Sequence, residues 1–213
     1  LPLLEGDSQI TITTGLESKP YIDLTLKVLK DFSINIENHD YKAFNIIGRQ
    51  KYRGLDYTVP GDFSQAAFWL TAGALGSEVT CNGLSMDSLQ GDKSVLDIIG
   101  EMGGRIVIKA DAVRALPADT RGTVIDVSQC PDLVPILAVL GALSKGRTEI
   151  VNAGRLRLKE SDRLKAVSSE LGKLGACITE LQDSLVIDGR KRLRGGRVES
   201  WNDHRIAMAL AIA

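Results

Sequence analysis

The chain has 213 residues, with 26 lysines and arginines against 27 aspartates and glutamates, a formal net charge of −1 and 44% apolar residues. That balance belongs to a folded globular protein and not to a disordered one, and near neutrality removes any composition-level case for a nucleic-acid or membrane-surface protein. No stretch reaches the roughly 18 apolar residues of a membrane span, and residues 1–6 show neither the basic start nor the apolar run of a signal peptide.

Three elements of one kind recur along the chain. The runs Leu29–Ile36, Ile99–Ile106 and Leu171–Ile178 each read as an amphipathic helix that ends, a turn, and a strand. Phe32, Met102 and Leu174 hold the same place in them, 70 and 72 residues apart. A second marker is a set of apolar helices at Ala66–Leu75, Val134–Leu143 and His204–Ala213, whose starts lie 68 and 70 residues apart. Between the markers, strands are predicted at Glu78–Cys81, Arg105–Lys109, near Val113, Thr148–Val151, Cys177–Glu180 and Ser184–Asp188, with helices over Lys93–Met102 and Ser161–Leu174. Each repeat therefore reads as a βαβαββ unit of about 70 residues in an α/β (α+β) fold, a period longer than the roughly 20–50 residues of the common solenoids. The opening Leu1-Pro2-Leu3-Leu4 has no start signal and the closing apolar helix has no stop, so both ends read as cut.

Chemistry concentrates at helix starts. Gly154 to Arg163 gathers Arg155, Arg157, Lys159, Glu160, Asp162 and Arg163 where a strand and loop lead into a helix, with Ser161 or Asp162 as N-cap. Arginines beside such an end suit a phosphate or carboxylate, and a glutamate among them can act as acid or base. Asn202-Asp203-His204-Arg205 repeats the logic: basic side chains in a first helical turn oppose the macrodipole unless an anion sits there. Ser18-Lys19-Pro20-Tyr21-Ile22-Asp23 is a third start, with Ser18 as cap. Asp132 precedes the apolar stretch Leu133–Leu143; it reads as a cap, or as a base whose pKa isolation would raise. Residues 61–64 read as a turn and cap. The basic stretch Gly189–Arg197 has no interleaved aromatics and is read as a solvated hairpin region rather than a nucleic-acid surface. Cys81, Cys130 and Cys177, with only His39 and His204 for company, read as reduced thiols of a cytoplasmic protein and not as a zinc site.

Taken in order, Ser18–Asp23, Gln90-Gly91-Asp92, Lys159–Arg163 and Asn202–Arg205 make the whole chain resemble the 5-enolpyruvylshikimate-3-phosphate (EPSP) synthase family, whose members are about twice this length. The resemblance implies two domains of three βαβαββ units each, helices inside and sheets outside, as an inside-out α/β barrel of the enolpyruvyl transferase type. Residues 1–59 would end the shikimate-phosphate-binding domain and residues 60–213 would form most of the second, with ligands bound in the cleft between them. The implied reaction moves the enolpyruvyl group of phosphoenolpyruvate to the 5-hydroxyl of shikimate 3-phosphate and releases phosphate, by addition and elimination. It implies no metal or other cofactor, no nucleic-acid or membrane partner, a cytoplasmic setting and a monomeric full-length enzyme.

By the same resemblance, Asp132 is the base for the 5-hydroxyl and Glu160 the acid/base at the methylene carbon. Ser18, Tyr21, Asp132, Arg155 and Lys159 contact shikimate 3-phosphate, although the family often carries Asn where Arg155 stands. Arg163 and Arg205 hold phosphoenolpyruvate, with His204 beside them. Other basic residues of the family's site would lie outside residues 1–213, so this chain is expected to fold at least in part but not to catalyse alone. The alternatives are the related UDP-N-acetylglucosamine enolpyruvyl transferase and a non-catalytic anion-binding fragment.

Overall fold

In the computed structural model, which describes residues 1–213, the order is β1 (Ser8–Thr11), α1 (Lys19–Asp31), β2 (Ile36–His39), β3 (Ala43–Ile46), α2 (Phe63–Leu75), β4 (Val79–Cys81), α3 (Val95–Glu101), β5 (Arg105–Lys109) and β6 (Ala112–Leu116). There follow β7 (Val124–Asp126), α4 (Val134–Leu143), β8 (Arg147–Val151), α5 (Arg163–Lys173), β9 (Cys177–Glu180), β10 (Leu185–Asp188) and α6 (His204–Ile212). The strands form three separate sheets, ordered β1-β3-β2, β4-β6-β5 and β7-β8-β10-β9, none of them closed into a barrel. All neighbours are antiparallel except β7 and β8.

The repeat has a stereochemical basis. Each outer helix stops in the same two bonds: Ser33 N–H donates to Lys30 and Ile34 N–H to Leu29, Gly103 to Gly100 and Gly104 to Ile99, Gly175 to Gly172 and Ala176 to Leu171, at 2.8 to 3.0 Å. These are the paired bonds of a Schellman end, which demands a left-handed residue. Ser33, Gly103 and Gly175 supply it, at φ 66°, 87° and 88°. The chain then reverses into β2, β5 or β9, and the last strand of each repeat inserts between its two predecessors. The segment from β7 to β10 is a complete βαβαββ unit, the one before it runs without an opening strand, and residues 8–46 show the closing β-α-β-β.

By its contacts the chain divides into two compact units, Leu1–Val59 with Leu89–Gly91, and Pro60–Ser88 with Asp92–Ala213. The second holds one continuous core in which α4 is buried from Val134 to Ala142 and α2 over most of its length. An all-apolar helix can only sit inside, which gives this unit its inside-out layout. Helix α5 is amphipathic, and its buried positions 163–164, 166–167 and 170–171 recur at helical spacing. The first unit buries Ile34, Phe44 and Ile46. No helix is long and apolar enough to cross a membrane.

Most expected elements stand within two residues of their predicted ends, but three local readings are corrected. Gly189–Arg197, read as a solvated hairpin region, contains no strand, nor does the rest of the connection to residue 203. The helix expected from Lys93 opens with a 3-10 turn over Gly91–Ser94. The strand and loop expected before Arg163 are seen as Arg147–Val151 and the connection after it, which holds a 3-10 turn over Gly154–Leu158. Ser18 does occupy the N-cap place of α1, but with left-handed backbone at φ 55° and no capping bond from its hydroxyl. The expected cap at Asp62 is seen, its carboxylate accepting the Ser64 N–H at 2.8 Å.

Candidate active site

The amino ends of α4, α5 and α6 carry one ionic cluster. Asp132 lies in the 3-10 turn Pro131–Leu133 that leads into α4. Lys159 and Glu160 follow the turn Gly154–Leu158 and precede α5, whose first residue is Arg163. Asp203 caps α6, accepting the Arg205 N–H at 3.0 Å, and His204 and Arg205 begin that helix. Asp162, rather than Ser161, caps α5 by accepting from the Lys165 N–H.

Arg163 is the hub. Its side chain is 1% exposed, and four of its hydrogen bonds run to three carboxylates. Nε donates to Asp203 Oδ2 at 2.7 Å, Nη2 to Asp203 Oδ1 at 3.3 Å, Nη1 to Asp132 Oδ1 at 2.7 Å, and Nη2 to Glu160 Oε2 at 2.7 Å. A planar guanidinium makes these four bonds from fixed directions, one more than the three donors of an ammonium allow. Asp203 is fully buried and also accepts from Ser161 Oγ at 3.0 Å, so this carboxylate welds α5 to α6.

Asp132 is the meeting point of the cations. Beside Arg163 it pairs with Lys159 Nζ at 3.1 Å and with Arg205 Nη2 at 3.5 Å. The isolation read from its apolar successors is therefore wrong. Burial does push its pKa up, but Arg205, Lys159 and Arg163 together pull it below the ordinary aspartate value. Asp132 also makes no capping bond to α4. Arg205 is largely buried, and its Nη1 has no acceptor within the protein. A buried guanidinium nitrogen without a protein acceptor can donate to an anion or to a water.

Arg157 braces the loop from outside. Its Nε reaches the Gln182 carbonyl at 2.8 Å, Nη2 the Leu181 carbonyl at 2.6 Å, and Nη1 both Glu180 at 2.7 Å and Asp162 at 3.0 Å. The turn between β9 and β10 is thereby tied to the cap of α5. Arg155 and His204 are exposed, at the edge of the cluster in sequence. Ser18 and Tyr21 belong to the other compact unit, at the start of α1, where Lys19 lies 5.3 Å from the Tyr41 ring centre. Asp203 as an anchor and Arg157 as a brace escaped the sequence reading; an acid directly before His204-Arg205 was the available signal for the first, and nothing signalled the second.

The family model for EPSP synthase (3-phosphoshikimate 1-carboxyvinyltransferase) matches residues 1–213. The chain belongs to the EPSP synthase family. Among its curated relatives, a 3-phosphoshikimate 1-carboxyvinyltransferase of Clostridium acetobutylicum is 61% identical over 213 residues, all of this chain and 49% of that protein. One of Clostridium novyi is 58% identical over the same span. Among solved structures, an EPSP synthase from Acinetobacter baumannii superposes with a TM-score of 0.80 at 25% identity, over 98% of this chain and 50% of that one. The enolpyruvyl transferase NikO from Streptomyces tendae, at 23% identity and a TM-score of 0.74, shares the fold. The chain thus spans about half the length of the EPSP synthases it matches.

In this EPSP synthase family chain two buried carboxylates, Asp203 in the cluster and Glu170 outside it, also set acid stability. Asp203 is held below the ordinary aspartate value, because its bonds from Arg163, the Arg205 amide and Ser161 outweigh its burial. Glu170 is lowered to about 2, because bonds from Lys173, Trp201 and the Glu199 amide overcome burial. A carboxylate depressed in the folded state stabilises fully above its unfolded pKa and loses that contribution as pH falls toward the folded value. The denaturant midpoint is therefore expected to hold down to about pH 5 and to fall steadily from the ordinary glutamate value of 4.5 toward about 2. A flat profile through that window would remove these carboxylates from the stability of the fold.

Proposed function

We propose that a protein containing this chain transfers the enolpyruvyl group of phosphoenolpyruvate to the 5-hydroxyl of shikimate 3-phosphate and releases phosphate. Residues 1–59 would end the domain that binds shikimate 3-phosphate and residues 60–213 form most of the second domain; the division of contacts at Val59–Pro60 supports this. The enzyme is read as a cytoplasmic monomer acting on these two small molecules, with neither nucleic acid nor membrane as partner. One observation carries the proposal: two carboxylates, Asp132 and Glu160, share the Arg163 guanidinium, and Lys159 and Arg205 add positive charge at Asp132.

Two highly charged anions must be brought together, and the converging cations offset that repulsion. Asp132 is proposed as base for the 5-hydroxyl. It is ionised at neutral pH, as a base must be, but the three cations make it a weak one. An anionic substrate that draws Lys159 and Arg205 toward itself would leave Asp132 less neutralised and raise its proton affinity, so that basicity would rise as substrate binds. Glu160, half exposed and bonded through one oxygen, is proposed as the group that protonates and later deprotonates the methylene carbon. Lys159, Arg155, Ser18 and Tyr21 are assigned to shikimate 3-phosphate. Arg205, whose Nη1 lacks a protein acceptor, is assigned to phosphoenolpyruvate with Arg163 and His204.

Phosphate release from phosphoenolpyruvate, with shikimate 3-phosphate or UDP-N-acetylglucosamine as acceptor, tests the reading in a longer protein that includes this chain. Release dependent on shikimate 3-phosphate alone is expected; release with the sugar nucleotide instead would transfer the chain to the other reaction. In the same protein Arg205→Lys is expected to raise the KM for phosphoenolpyruvate by about tenfold or more, because a point charge replaces a guanidinium fork. An unchanged KM would assign Arg205 to structure.

A further inference from the structure

A second buried carboxylate lies outside the cluster and on the far turns of α5. Glu170 is 1% exposed, and its oxygens accept from Lys173 Nζ at 2.8 Å, Ser169 Oγ at 3.3 Å, the Glu199 amide at 2.9 Å and the Trp201 indole Nε1 at 3.0 Å. Two of these donors belong to residues 189–203, the strandless connection that delivers Asp203, His204 and Arg205 to the cluster. The connection ends in a tight turn, closed by the Asp203 N–H on the Ser200 carbonyl at 3.0 Å. Its two central residues, Trp201 and Asn202, are both left-handed, at φ 55° and 53°.

Two successive positive φ values are the requirement of a type I′ turn, which selects Gly, Asn and Asp. Asn202 meets that preference. Trp201 does not, since a bulky side chain in the left-handed region is disfavoured and persists only where surrounding contacts over-determine it. The contacts here are the indole bond to Glu170 and the packing of the Trp201 ring against the core. The bonds of Asp203 to Arg163, Ser161 and the Arg205 amide fix the last residue of this turn, but none of them reaches Trp201 or Asn202, whose left-handed backbone they leave unbraced.

We infer that Glu170 is a positioning residue for Arg205: by holding the Glu199 amide and the Trp201 indole it keeps the Ser200–Asp203 turn left-handed, and so aims Arg205 at Asp132. The inference rests on the proposed function only in giving Arg205 a substrate to meet. Held so by its partner network, Glu170 stays ionised across the physiological range, and its clamp is constant rather than switchable.

The test uses ¹⁵N–¹H spectroscopy on this chain, reading hydrogen exchange at the Trp201 indole, the Arg205 amide and the Arg163 Nε–H. Glu170→Gln and Trp201→Phe are each expected to speed exchange at the Arg205 amide and Arg163 Nε–H by about tenfold or more, the worth of one hydrogen bond to a charged group. The double variant should exceed either single variant by much less than the product of their effects, because both cut one path. Lys173→Met, which removes a Glu170 partner whose hydrogen bonds run to Glu170 and not to residues 199–201, should leave Arg205 exchange close to normal. Acceleration at α4 amides equal to that at Arg205 would mean general loosening and overturn the inference, as would unchanged Arg205 exchange. Should Glu170→Gln fail to fold, Trp201→Phe against Lys173→Met decides the matter alone. In a catalytically active longer protein the same variants should raise the KM for phosphoenolpyruvate while leaving that for shikimate 3-phosphate near normal. If wild type shows no activity, the functional reading fails, and the exchange measurements still decide the role of Glu170.

Discussion

Arg163→Met is expected to lower the unfolding free energy of this chain by about 3–5 kcal/mol, the usual cost of removing one partner from a buried ion pair. The methionine would fill much of the space but answer none of the charge. Asp203, which is fully buried, would lose two of its four bonds, and Asp132 would lose its closest cation. Lys159 and Arg205 can still screen Asp132 from the more open side, so the penalty falls mainly on Asp203. Arg163→Lys should recover only part of the loss, because one ammonium cannot lie in line with Asp203, Asp132 and Glu160 together. Pairing Arg163→Met with Asp203→Leu removes the stranded charge and should be milder than Arg163→Met alone. Urea titrations of the four proteins check this. A change below about 1 kcal/mol in Arg163→Met, the scale of an exposed pair, would show that the hub is solvated and its burial misassigned.

That hub marks the limit of what the residues disclose in order. Helix α4 was legible to the residue because Val134–Leu143 is uniformly apolar and bounded by Pro131-Asp132 and Ser144-Lys145. The 70-residue spacing was legible because each outer helix ends in the same left-handed stop, which twice requires glycine. Strand β7 was missed: it has three residues, and its parallel pairing with β8 is a contact across 25 positions of sequence that no local pattern announces. The candidate site was legible as a set of charged helix starts but not as a charge balance. Asp132 looks isolated when read along the chain because its cations lie 27, 31 and 73 positions later, at Lys159, Arg163 and Arg205. Local context supplied the burial that raises its pKa, and only the fold supplied the three cations that lower it. The segment 189–203 misled in the opposite way. The stretch Gly189–Arg197 within it reads as a solvated hairpin, and its arginines are exposed, but it forms no strand, and just beyond it Glu199 and Trp201 are bound to a carboxylate on α5.

The largest effect on catalysis is expected at Glu160. In a longer protein that includes this chain and carries out the transfer, Glu160→Gln should reduce kcat by about 10²–10⁴-fold, the range of a general acid–base group. The substitution is chosen because geometry survives it. The amide carbonyl of glutamine can still accept the Arg163 Nη2 hydrogen that Glu160 Oε2 now receives at 2.7 Å, so the loop before α5 keeps its anchor. Glu160 is half exposed, so its exchange for a neutral isostere should cost little stability, well under the loss expected for Arg163→Met. Binding should change little as well, since the anion-pairing groups Lys159 and Arg205 are untouched and one negative charge is removed from their neighbourhood. What glutamine cannot do is take up and return a proton. The expected signature is therefore a collapse of kcat with both KM values within a few-fold of wild type, which separates a chemical role from a binding one. Raised KM with preserved kcat would make Glu160 a binding residue. Turnover within a few-fold of wild type would take it out of the proton transfer altogether and leave Asp132 as the only carboxylate of the cluster able to exchange protons, because Asp203 is committed to Arg163 in the interior.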